Sequence, residues 1–229
     1  MTEVTILMPC LNEEETVVRC VRQARAWLHS RQIPGQVLVA DNDSTDASRA
    51  LARRAGADVI RVPERGYGNA LRGGIREARG TYVIMGDCDG SYDFSDLDRM
   101  LEQLRQGAAL VMGDRFAGGI RPGAMPFAHR YLGVPVLSFL GRLRFRTDVR
   151  DFHCGLRGFH RQSALDLDLR CGGMEFATEI IGRFAEAGLP IRQVPVALHP
   201  DGRSGRSHLR PIADGLRHLA LLIFWKKRK

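Results

Sequence analysis

Residues 81–93 read Thr81-Tyr82-Val83-Ile84-Met85-Gly86-Asp87-Cys88-Asp89-Gly90-Ser91-Tyr92-Asp93. Thr81 to Met85 is a run of strand-forming residues too short for a helix, and glycine with carboxylates ends it. A buried strand thus hands directly on to a polar turn. The same unit recurs upstream. Val4-Thr5-Ile6-Leu7-Met8 reads as a strand stopped by Pro9, and a helix from about Glu13 to His29 follows, with acidic residues in its first turn. Val37 to Ala40 is a second strand, and Ser44-Thr45-Asp46 opens a helix through Ala55. Asp58 to Val62 is a third strand, Gly66 to Arg79 a helix that starts on glycine, and Ser95 caps a helix to about Gln106. Ala109 to Met112 completes the series as a fifth strand. Such alternation predicts an α/β fold with a mostly parallel central sheet flanked by helices on both faces. In sheets of this kind ligands bind outside the carboxyl ends of the strands. Residues 9–14, 41–46 and 86–93 all follow strand ends, so their polar side chains are expected to converge.

Beyond Asp114 the pattern breaks. Gly118, Gly119, Pro122, Gly123 and Pro126 mark a loop, and Phe127 to Phe145 is an apolar stretch interrupted by Arg130, Arg142 and Arg144. Glu175 to Ala187 reads as a helix, Ile191 to Leu198 as a strand, and Pro211 to Trp225 as a last helix with proline in its first turn.

Composition narrows the class. With 229 residues, 44% hydrophobic and 26% charged, the chain can bury a real core and is neither disordered nor fibrous. No apolar run reaches the roughly 18–20 residues of a membrane-spanning helix. Glu13 to Glu15 interrupt the only early apolar stretch, which argues against a signal peptide. Five cysteines without CxxC spacing argue against a disulfide framework or a zinc knuckle, so a reducing cytoplasm is expected. Lys+Arg 34 against Asp+Glu 26 gives a net charge of +8. That charge is polarised: residues 115–161 carry nine arginines against Asp148 and Asp151, and residues 201–229 carry eight basic residues against Asp201 and Asp214. An anionic partner suits this pattern. Nucleic acid is disfavoured, because Arg142 to Arg150 offers only Phe145 as a stacking platform.

Asp87 and Asp89, one residue apart at a strand end, can share a hard divalent cation such as Mg²⁺ or Mn²⁺, which prefers oxygen ligands and bridges carboxylates to phosphates. Asp41, at the end of the second strand, is not needed for helix capping and can accept hydrogen bonds from a nucleobase or ribose. Arg65-Gly66-Tyr67-Gly68-Asn69-Ala70 starts a helix on small residues, and its backbone amides suit a phosphate or sugar hydroxyl. It lacks the GK[ST] of a P-loop and the glycine spacing of a dinucleotide fingerprint.

These blocks, in this order, resemble family 2 glycosyltransferases, especially the branch of dolichyl- or polyprenyl-phosphate sugar synthases. The resemblance rests on residues 6–14, 39–46, 66–71, 85–93, Met112-Gly113-Asp114-Arg115-Phe116, and Asp151-Phe152-His153-Cys154-Gly155-Leu156-Arg157-Gly158-Phe159, and spans about residues 4–210. It implies a GT-A fold for residues 1–210, with 211–229 as an amphipathic helix and basic tail. It implies a donor that is a UDP or GDP sugar, and Mg²⁺ or Mn²⁺ as cofactor. Pro9, Asn12 and Glu14 would line the nucleoside pocket, with Asp41 on the nucleoside and Asp87 against the nucleotide. Asp89 would hold the metal, and Arg203, Arg206 and His208 would close over the diphosphate.

The acceptor decides whether a base is required. A polyprenyl phosphate is already an anion, whereas a soluble hydroxyl or nucleoside acceptor needs a base within hydrogen-bond reach. Candidates are Asp151, His153, Glu175 and Glu179; the last two share a helix face four residues apart. Leu216 to Trp225, followed by four basic residues, suits peripheral contact with the inner face of a membrane as well as it suits packing on the domain.

Overall fold

The computed structural model describes residues 1–203 and 211–226. The first half alternates as the sequence predicts: β1 (Val4–Cys10), α1 (Val17–Ser30), β2 (Gly35–Asp41), α2 (Ser48–Ala55), β3 (Asp58–Arg61), α3 (Tyr67–Glu77), β4 (Tyr82–Met85), α4 (Asp98–Arg105) and β5 (Leu110–Asp114). A single turn, α5 (Arg115–Gly118), follows, and later a π-helical turn (His129–Gly133) leads into α6 (Val134–Phe145). The chain then forms β6 (Arg157–His160), α7 (Arg161–Asp166), α8 (Phe176–Glu186), β7 (Ile191–Pro195) and α9 (Pro211–Ile223).

The seven strands form one sheet in the order β3-β2-β1-β4-β6-β5-β7. β6 runs antiparallel to both β4 and β5, and the other pairings are parallel. Side chains alternate across the strands and so feed two cores. Ile6, Met8, Val37, Val39 and Ile84 pack with Cys20, Ala24 and Trp27 of α1 and Leu104 of α4 on one face. Leu7, Leu38, Val83, Met85 and Leu110 pack with Leu71 and Ile75 of α3 and Ile180 and Phe184 of α8 on the other. Burial on both faces is what near-continuous apolar strands require.

Several expectations shift. Pro9 does not stop β1, which continues to Cys10 alongside β2. β4 has already ended its pairing at Leu7↔Met85, so the missing N–H of Pro9 interrupts no ladder there. Glu13 to Glu15 form a turn before α1 rather than its first turn, with Thr16 and Val17 N–H both donating to Glu13 O. β7 is shorter than expected, although Val196 and Leu198 N–H still donate to Asp114 O and Gly119 O. β6 has no clear signal in the sequence, because Arg157 and Gly158 break its apolar pattern. It is nonetheless central, and Arg157 is buried with its guanidinium donating to three carbonyls: Cys154 (2.7 Å), Ala177 (2.7 Å) and Phe152 (3.0 Å). A buried cation survives there because its donors are satisfied.

Candidate active site

The loops after β1, β2 and β4 meet at the carboxyl edge of the sheet and are tied together by side chains. Asn12, with a left-handed backbone (φ 54°), accepts at Oδ1 from Thr45 N–H (2.8 Å), and its own N–H donates to Ser44 Oγ (2.9 Å). Glu14 accepts from Ala47 N–H (2.9 Å) at the start of α2. Asn42 donates to Val62 O and Glu64 O and accepts from Gly66 N–H (2.7 Å). Asn12 and Glu14 are exposed braces between loops here, and Pro9 is a buried strand residue whose carbonyl accepts from the Cys88 thiol.

Asp41 is wholly buried. Its Oδ1 accepts from Ser44 N–H (3.1 Å) and lies 3.6 Å from Arg49, whereas Oδ2 has no partner in the protein. A buried, unfilled acceptor is costly unless something donates to it. The N–H of a bound base is a suitable donor.

The loop after β4 presents Asp87 and Asp89. Tyr67, at the first position of α3, lies beside Asp87. Gly155 lies so close that a Cβ there would collide with Asp87 Oδ2. Asp89 Oδ1 accepts from Ser91 N–H (2.9 Å), and its Oδ2 meets the Arg203 guanidinium at 3.2 Å. That guanidinium also reaches Glu13 (3.0 Å) and Asp201 (3.0 Å), and the backbone from His199 to Gly202 straps onto Ser91 O and Asp89 O. Burial pushes the Glu13 carboxyl up to about 7 against the pull of Arg203. Asp87 is pushed up to about 6 by burial and then by the charge of Asp89. Glu13 was read from sequence as a helix-start residue; nothing in its local pattern shows that Arg203 folds back onto it. Arg206 and His208 lie outside the described residues.

Crowded, desolvated carboxylates of this kind favour a hard cation. Among the described residues no group of three or more His, Cys, Asp or Glu forms a closed cage. Two carboxylates such as Asp87 and Asp89 would hold a divalent ion only together with water and a substrate phosphate, as Mg²⁺ is commonly held.

The four candidate bases divide. Asp151 is fully buried, and both its oxygens are taken by Arg115, at 2.6 and 2.8 Å, with Arg115 and His153 N–H also donating to it. Glu179 is buried and accepts from Arg170 N–H and Cys171 N–H, fixing the loop before α8. Both carboxylates have their oxygens engaged by protein partners. His153 and Glu175 differ. Both ring nitrogens of His153 are shielded from solvent and lack a hydrogen-bond partner, and its ring lies 4.5 Å from that of His218. Burial, then His218 and the arginines, lowers the proton affinity of His153 well below the usual histidine range. Glu175 accepts from Gly173 N–H through Oε1, and its Oε2 has no partner. It lines a cleft of about 600 Å³ together with Arg65, Gly66, Asn69 and Arg217.

The proposed phosphate cradle at the start of α3 is filled by the protein itself. Asn69 N–H donates to Gly172 O (3.1 Å), and Gly68 is buried under Cys171 O, where a Cβ would clash. Arg65 remains exposed beside the cleft. Gly68 is small so that the 171–173 loop can pack against it.

The description "Glycosyl transferase family 2" matches residues 5–167, and the chain belongs to that family. The low-salt glycan biosynthesis hexosyltransferase Agl6 of Haloferax volcanii is 38% identical over 220 residues, covering 96% of this chain and 52% of its own length. The chain thus spans about half of that relative. The dolichyl-phosphate hexose transferase of the same organism is 27% identical over 220 residues, 94% of this chain and 92% of its own. Glucosyl-3-phosphoglycerate synthase from Mycobacterium tuberculosis, solved with Mn²⁺, UDP-glucose and phosphoglyceric acid, matches with a TM-score of 0.76 at 22% identity, over 97% of this chain and 79% of that one. The fold is the GT-A glycosyltransferase fold.

Two tests follow from this geometry. Arg115→Met leaves Asp151 charged, buried and unpaired, and is expected to cost about 3–5 kcal/mol in urea unfolding. Replacing both partners with apolar residues should cost much less. His218, buried and bonded through Nδ1 to Thr178 Oγ1 (2.7 Å), is held down to about 4 by burial, with Glu175, Asp214 and Arg157 as its charged neighbours. The unfolded chain therefore binds the extra proton first, and stability is lost as pH falls from about 6.5 toward 4. Relative to His218→Asn, the wild type should lose about 3 kcal/mol across that window.

Proposed function

We propose that this glycosyltransferase moves a hexose from a UDP or GDP sugar to a polyprenyl phosphate, with Mg²⁺ or Mn²⁺ as cofactor, at the cytoplasmic face of a membrane. The observation that carries the reading is the meeting of Glu13, Asp89 and Arg203 at the edge of the sheet where the neighbouring strand β2 ends in Asp41, whose Oδ2 is unfilled. One edge of the sheet thereby offers an acceptor for a base, oxygen ligands for a cation and a guanidinium for a diphosphate. Agl6 and the dolichyl-phosphate hexose transferase support a hexose donor and a lipid-phosphate acceptor. Residues 1–210 would form the catalytic unit, and 211–229 an element beside it. Among the described residues no helix is long and apolar enough to cross a membrane.

In this reading Asp41 orients the nucleoside, and Asp87 and Asp89 would hold the cation, which would supply positive charge for the departing diphosphate. Arg203 is placed to turn from Glu13 and Asp89 toward that leaving group and stabilise it as the glycosidic bond breaks. A phosphate oxygen of the acceptor attacks the anomeric carbon without needing a base. Asp151 and Arg115 then act as one rigid unit that positions the His153 loop. Transfer to a soluble hydroxyl is the second reading. It is favoured by His153, whose two ring nitrogens have no partner in the protein, and it requires a hydroxyl to reach that ring and overcome the weakening of the base by burial.

A thermal-shift panel tests the donor site. One UDP or GDP sugar with Mn²⁺ should raise the melting temperature, and Asp89→Ala should abolish the metal-dependent part of that rise. Equal stabilisation of the variant would remove Asp89 as a ligand. Radiolabelled donor should pass to detergent-dispersed polyprenyl phosphate in both wild type and His153→Asn; transfer to a soluble hydroxyl that His153→Asn abolishes would support the second reading.

A further inference from the structure

We propose that the outward face of residues 127–143, continued by the end of α9, docks on an anionic lipid bilayer, lying on it without crossing it. The inference deepens the lipid-acceptor reading and rests on it for its purpose, but the surface itself is read from other residues. α6 is apolar on both sides. Ser138, Gly141 and Phe145 face inward and are buried, yet Val136, Phe139 and Leu143 are exposed. A helix on the surface of a soluble domain normally turns charged residues outward. Phe127 (78% exposed) and Tyr131 (60%) extend the same stretch.

The end of α9 lies against α6. Phe145 meets Trp225 edge-on at 4.6 Å, and Arg144 donates to Trp225 O (3.3 Å), bringing exposed Ile223 and Phe224 alongside. Isolated exposed apolar residues need no explanation, but a continuous group of this size does.

The charge says what covers it. Residues 127–150 hold Arg130, Arg142, Arg144, Arg146 and Arg150 against a single acid, Asp148. Arg130 sits 5.4 Å from the Tyr131 ring centroid, and Arg142 sits 5.8 Å from that of Phe139. Rings that enter an apolar layer while guanidinium groups stay at its phosphate level fit a lipid headgroup boundary. A second copy of the chain would instead press like-charged arginines together.

The buried side of the same helix rests on the segment that carries His153. Phe152 N–H donates to Ser138 Oγ (3.2 Å), and the Phe152 ring packs on Gly141 of α6. Phe152 lies between Asp151 and His153.

Flotation of the full chain with phosphatidylglycerol/phosphatidylcholine vesicles that contain no polyprenyl phosphate tests the surface alone. Binding is expected at about 30 mol% anionic lipid, far less to pure phosphatidylcholine, and weaker at high salt. The double variant F139S/L143S should lower the bound fraction by about tenfold or more, with an unchanged melting temperature because both side chains are exposed. Failure of the wild type to float with anionic vesicles, or equal flotation of the variant, overturns the proposal. So does a wild-type dimer in light scattering that the variant dissolves, which would assign the face to a second copy. Transfer to detergent-dispersed acceptor is measured separately, so a wrong acceptor and a wrong surface give different results.

Discussion

The Arg203 guanidinium, shared by Glu13, Asp89 and Asp201, is the contact on which the candidate site depends. Glu13 follows β1, Asp89 follows β4, and Arg203 lies beyond β7, so a single cation gathers three distant parts of the chain. Without it, buried Glu13 and the Asp87–Asp89 pair would face one another with little to offset their charge. Burial is the main cause of the raised proton affinity of Glu13 and Asp87, and the neighbouring carboxylates add to it.

A pair of further arginines organises the other half of the candidate site. Arg157 fills the carbonyls of Phe152, Cys154 and Ala177, and Arg115 takes both oxygens of Asp151. Between them they fix residues 151–157, the segment that carries His153 and that leans on α6. Buried ion pairs add little to net stability, because desolvation opposes them. Their effect here is to hold one loop in one place.

The alternation of strands and helices through β5 was legible because apolar runs of four or five residues, bounded by glycine and acids, have a strong local signature. β6 was not, since its two defining residues are an arginine and a glycine whose partners lie far away in the chain. The same distinction governs the site. Asp41, Asp87 and Asp89 stand at strand ends, where position alone marks them. Glu13, Tyr67 and His218 acquire their surroundings only through tertiary contacts. Asp151 and Glu179 have the right chemistry for a base, but the structure spends their oxygens on Arg115 and on backbone amides. Gly68 misled for a related reason, because a small residue at a helix start serves close packing as readily as anion binding.

The most direct measurement is a crystal of the protein grown with UDP and Mn²⁺, with the metal located by its anomalous scattering. The account predicts a peak bonded to Asp89 and to the diphosphate, with Arg203 released from at least one of its carboxylates and the base N–H on Asp41. A metal and nucleotide bound elsewhere, with the Glu13–Arg203–Asp89 contacts intact, would contradict it.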